Sequence, residues 1–94
     1  MSKNKTYELG TAIKITTVLS LASPTSVKIT IKDPSNLTEV SATSMTSQTT
    51  TIYSYIYQSS TSDTEGKYKV IIDAVYGSYT SRATAIFEMV DNDP

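Results

Sequence analysis

The chain has no cysteine, no histidine and no tryptophan among its 94 residues, and only three glycines and three prolines. Lack of cysteine removes disulfides, thiolate nucleophiles and sulfur metal ligands together. Lack of histidine removes Ser-His-Asp and Cys-His machinery and imidazole-ligated metals. A Ser–Lys pair stays formally open because serines abound, but no spacing singles one out. Eight basic against nine acidic residues leave a net charge of −1, too little field to gather nucleic acid or an anionic membrane. No stretch approaches the roughly 18 consecutive apolar residues of a membrane-spanning helix. The start, "MSKNKTYELG", has lysines but no apolar run behind them, so the expectation is cytoplasmic synthesis without a signal peptide. The expected protein is therefore not an enzyme, holds no metal or cofactor, and contacts neither nucleic acid nor membrane.

What the chain has in quantity is serine and threonine, 30 of 94 residues, and seven tyrosines. Threonine and tyrosine favour strands. Apolar residues recur with period two and nowhere with a useful helical period. A polar tail, residues 1–5, precedes a short strand at Thr6 to Leu9 stopped by Gly10. Ile13, Ile15, Leu19 and Leu21 then share one face of a strand from Ala12 to Leu21, and Val27, Ile29 and Ile31 alternate with Lys28, Thr30 and Lys32. Asp33-Pro34-Ser35-Asn36 reads as a turn: proline presets its φ, and the Asp and Asn side chains bond nearby backbone. Leu37 to Ala42 is a weak edge strand, and Ser44 to Gln48 a polar connection. Thr49 to Gln58 is a strand with a tyrosine at every second position, Tyr53, Tyr55 and Tyr57. Lys67 to Tyr76 and Tyr79 to Val90 alternate on either side of a tight turn at Gly77-Ser78, the latter with Ala83, Ala85, Phe87 and Met89 on one face. Residues 91–94 form a second polar tail. Seven strands without helices predict a single all-β domain over residues 6–90, a two-sheet antiparallel sandwich, with a small barrel as the alternative.

Four short motifs carry a resemblance. Tyr7-Glu8-Leu9-Gly10, Asp33-Pro34-Ser35-Asn36, the Tyr53-x-Tyr55-x-Tyr57 strand and Asp63-Thr64-Glu65-Gly66-Lys67-Tyr68 resemble, in this order, the macroglobulin-type variety of immunoglobulin-like domains. Asn36 stands where that variety has glycine, and asparagine tolerates a left-handed backbone. The resemblance implies a seven-stranded immunoglobulin-like sandwich, a tyrosine corner at Tyr68, and an inward orientation for Tyr53, Tyr55 and Tyr57. By size and motif order the chain also resembles the small stand-alone immunoglobulin-like proteins of tailed phages and proviruses. That likeness implies a virion accessory, a capsid decoration or a neck or tail component, incorporated in the particle and bound to capsid or tail proteins.

Inward-facing alternation leaves aliphatics outside. Ile71, Val75, Ile86 and Val90 point outward on the last two strands and form the first candidate interaction face; Val18, Ile52 and Ile56 form a second. Either suits a protein partner in a larger assembly, or a second copy of the chain. Tyr76 and Tyr79, flanking the hairpin turn, are the aromatic candidates for the alternative function, a carbohydrate- or surface-binding module. Asp63 and Glu65 read as a solvated loop. Val90-Asp91-Asn92-Asp93-Pro94 resembles calcium-binding linkers between cadherin repeats, but companion acidic motifs are missing, and a solvated tail is expected.

Overall fold

The structure, a computed structural model, describes residues 5–90. Eight strands follow one another: β1 (Lys5–Glu8), β2 (Ala12–Val18), β3 (Ser26–Lys32), β4 (Thr38–Ser44), β5 (Thr46–Ser47), β6 (Ile52–Gln58), β7 (Gly66–Tyr76) and β8 (Tyr79–Val90). No helix occurs among the described residues. The strands form two sheets, one ordered β1-β8-β7-β3-β4 and one ordered β2-β6-β5.

The turns follow their residues. Tyr76 pairs with Tyr79, leaving Gly77-Ser78 as a two-residue loop, and Gly77 at φ +61° supplies the positive φ that a type II′ hairpin needs at its first central position. Asn36 adopts φ +67° in the turn between β3 and β4, the left-handed conformation expected for it. The Asp33 carboxylate closes that turn by accepting from the Ser35 and Leu37 amides, both at 2.9 Å. The pairing of β3 with β4 slips twice, so β4 bulges. At one bulge Ala42 takes φ +41° and its amide donates to the Thr30 hydroxyl at 3.2 Å.

The core lies between the sheets. From the five-stranded sheet come Val27, Ile29, Ile31, Val40, Tyr68, Val70, Ile72, Ala74, Phe87 and Met89; from the three-stranded sheet come Ile13 and Tyr57, and Met45 joins them from the link between β4 and β5. Phe87 sits at the centre of the aromatic packing. Its ring stacks on Tyr68 with centroids 5.3 Å apart, meets Tyr7 edge-on at 5.9 Å, and lies tilted to Tyr57 at 6.4 Å.

Alternation predicts Ile29, Tyr55, Val70, Ile72 and Phe87 as core; four of them are buried, and Tyr55 is only half-buried. Other expectations need correction. There are eight strands rather than seven, because Thr46–Ser47, read as polar connection, forms a short ladder with Ser54 and Tyr53. The pairing is not wholly antiparallel: β1 runs parallel to β8, with Lys5 beside Phe87 and Glu8 beside Val90. β2 stops at Val18, and Leu21, assigned to its core face, is exposed. Ala83 and Ala85 do share the inner face with Phe87 and Met89, yet both are exposed, because the three-stranded sheet is too narrow to cover them. Of the inward tyrosines only Tyr57 is buried; Tyr53 and Tyr55 are half-buried against the core. Lys5 belongs to β1 rather than to a tail, and the remaining tail residues, 1–4 and 91–94, lie outside the described residues.

Candidate functional site

The first candidate face occupies the outer side of β7 and β8. Ile71 stands between Thr84 on β8 and Thr30 on β3, and Ile86 stands opposite Lys69. Since Thr84 and Ile86 are two residues apart on one face, Ile71 and Ile86 are diagonal neighbours, within reach for long side chains. Ile86 is 47% exposed and Ile71 is half-buried. Val75 lies opposite Thr80 and is separated from Ile71 by Asp73, whose carboxylate accepts a bidentate pair of hydrogen bonds from Arg82 at 2.7 and 3.1 Å. The Arg82 guanidinium holds the Asp73 carboxyl below its usual range. Val90 sits at the far end, beside Glu8 of β1. The four predicted residues therefore share one face, but only Ile71 and Ile86 adjoin: the Asp73–Arg82 pair lies between Ile71 and Val75, and Glu88, opposite Lys67, lies between Ile86 and Val90.

The second candidate face is on the outer side of the three-stranded sheet. Val18 and Ile52 are cross-strand partners and form one apolar spot, with Val18 72% exposed. Ile56, opposite Lys14, is separate, because Thr16 and Ser54 lie between. Ser54 is buried although its side chain points outward, since Gln48 reaches over to donate to its hydroxyl at 3.1 Å.

Tyr76 and Tyr79 are cross-strand partners. The Tyr76 hydroxyl donates to the Leu21 carbonyl at 2.7 Å, and its ring lines a cleft of about 210 Å³ between β2 and the first half of β8. Tyr79 is 76% exposed.

Asp63 is not the freely solvated side chain expected of it. Its Oδ2 accepts from the Ser60 amide at 2.8 Å and from the Tyr57 hydroxyl at 3.2 Å, which organises the loop before β7. The Tyr68 hydroxyl donates to the Thr64 carbonyl at 2.7 Å in the same loop. Burial, then the charges of Asp63 and Glu39, push both phenols up, Tyr68 to about 12. Burial and the neighbouring Asp63 and Asp33 likewise raise the Glu39 carboxyl. Asp33 and Asp63 hold their loops in place; among the described residues no group of three or more such side chains is arranged to bind a metal ion. The calcium-like tail beyond Val90 lies outside the described residues.

One feature has no period-two signature. On β8 every residue from Tyr79 to Ile86 is exposed, on both faces: among the described residues β1 flanks only Phe87 to Val90, and the opposite sheet stops short. A scan against family models and searches of curated proteins and of solved structures give no match for this chain.

Proposed function

We propose that the protein is a non-enzymatic structural or binding module of immunoglobulin type that docks on a larger protein assembly, as an accessory virion protein does. Two features support the immunoglobulin assignment. The sheet β4-β3-β7-β8 opposite β2-β6-β5 corresponds to the C′CFG and BED sheets of that fold, and the Tyr68 hydroxyl bonding back to Thr64 has the form of its tyrosine corner. The virion reading rests on motif order and size. The docking reading rests on one observation, the diagonal pair Ile71 and Ile86 adjoining on an outer face whose neighbouring positions are mostly polar or charged.

The test combines gene neighbourhood with mutation. Capsid, portal and tail genes are expected beside this one, and their products, coexpressed with the chain, are the partners to assay by co-sedimentation. Ile71→Lys and Ile86→Lys, singly and together, should abolish co-sedimentation while far-UV circular dichroism stays unchanged. Loss of fold would place these residues inside the sandwich, and undiminished docking of the double variant would remove this face from the proposal. The carbohydrate reading is favoured by the position of Tyr76 on the cleft wall with Tyr79 beside it. Its check is whether soluble oligosaccharides shift the nuclear magnetic resonances of those two tyrosines.

A further inference from the structure

The Leu9 amide donates to the Val90 carbonyl at 2.9 Å, so the backbone groups of Val90 point away from β7 and toward β1. Strand backbone groups alternate in direction, so those of Glu88, Ile86, Thr84, Arg82 and Thr80 point the same way. Among the described residues β1 reaches Phe87 to Val90 and no further. Among the described residues no strand pairs with the outer edge of β8 from Tyr79 to Ile86. A row of unpaired donors and acceptors is a template for another strand.

We propose that this edge pairs antiparallel with the same edge of a second copy, joining two five-stranded sheets into one of ten, with Arg82 on the two-fold axis. The register follows from three constraints. Facing residues must lie on the same side of the joined sheet, which admits only every second alignment. An alignment two residues further along would drive Tyr79 into the slot beside Phe87 that β1 of the other copy already fills. One two residues shorter would leave the Thr84 backbone groups unpaired.

In the remaining alignment Thr80 faces Thr84 of the other copy on the outer side, twice by symmetry, and threonine pairs are favourable across strands. On the inner side Tyr79, the most exposed large hydrophobic side chain among the described residues, faces Ala85, and Ser81 faces Ala83. Small residues there leave room for the tyrosine ring and explain why an inward-facing row can do without cover from the other sheet. The one opposed like-charge pair is Arg82 with itself, and each guanidinium is drawn back onto Asp73 of its own copy. Seven residues a side fall well short of the roughly 20–30 of a standard interface, so the dimer is weak.

Sedimentation over protein concentrations from ~10 µM to ~1 mM is expected to show a reversible monomer–dimer equilibrium in this weak range. Thr84→Pro removes an outward amide without touching the ladder to β7, and should lower the association constant at least ~10-fold with an unchanged circular dichroism spectrum. Should that variant fail to fold, amide exchange on the unaltered protein decides the matter. Thr80, Arg82 and Thr84 should gain protection only in concentrated samples, while Ser81, Ala83 and Ala85 are protected at every concentration. A monomer throughout the range, a folded Thr84→Pro variant that dimerises undiminished, or a dimer whose Thr80, Arg82 and Thr84 amides stay unprotected each overturns the proposal.

Discussion

Phe87→Ala probes the centre of the fold. The ring is 5% exposed and touches three tyrosines drawn from β1, β6 and β7, so its removal opens a cavity that neither sheet can close alone. Truncating a buried phenylalanine costs about 3–5 kcal/mol. A 94-residue domain holds about 5–14 kcal/mol in total, so the variant should lose about a fifth of its stability or more. Urea denaturation followed by far-UV circular dichroism, with an unchanged slope and a lowered midpoint, is the assay. Double-mutant cycles separate aromatic geometry from bulk. Phe87→Leu combined with Tyr68→Leu should show a coupling of about 0.5–1.5 kcal/mol for the stacked pair. Phe87→Leu with Tyr57→Leu should show less, because those rings are tilted and farther apart. A loss below about 1 kcal/mol for Phe87→Ala would refute the core assignment, since it falls outside the range for a buried ring. Equal couplings in the two cycles would refute the role given to stacking.

Two further outcomes follow from local geometry and charge. Gly66 sits at φ +132° with space for a Cβ only 2.8 Å from Pro34 Cγ, so Gly66→Ala should cost about 1–3 kcal/mol from backbone strain alone, read as a lower urea midpoint. Tyr57 and Tyr68 keep their protons in the fold above the pH at which an unfolded tyrosine ionises, near 10. Their contribution is complete below pH 10 and is lost as pH climbs through the raised folded values, because the unfolded chain then binds fewer protons. An ultraviolet phenolate titration should show Tyr57 and Tyr68 ionising late, together with unfolding; ionisation of these two near pH 10 would contradict this.

Much of this architecture was legible in the residues because side-chain direction in a strand is local. The alternation of Val27, Ile29 and Ile31, or of Tyr68, Val70, Ile72 and Ala74, sets which side chains share a face before any partner strand is known, and all seven are buried. Turn chemistry is equally local, and Asn36 and Gly77 adopt the positive φ their types allow. The candidate face was legible to the same depth: Ile71, Val75, Ile86 and Val90 do share a side of the sheet. Which of them adjoin depends on register between strands, and register joined Ile71 to Ile86 while the Asp73–Arg82 pair cut off Val75.

Tertiary structure decided whether a face is covered, since coverage depends on the width of the opposing sheet and not on the strand itself. Ala83 and Ala85 carry the same pattern as Phe87 and Met89, yet three strands opposite five leave the first pair open and bury the second. Thr46–Ser47 is too short and too polar to announce a strand, and exists because Ser54 and Tyr53 of β6 offer it a ladder. The parallel contact of β1 joins the two ends of the chain, a separation over which no local pattern operates. Among the described residues that contact runs from Phe87 to Val90 and leaves the rest of the β8 edge open, a consequence of long-range pairing that no single stretch of residues encodes.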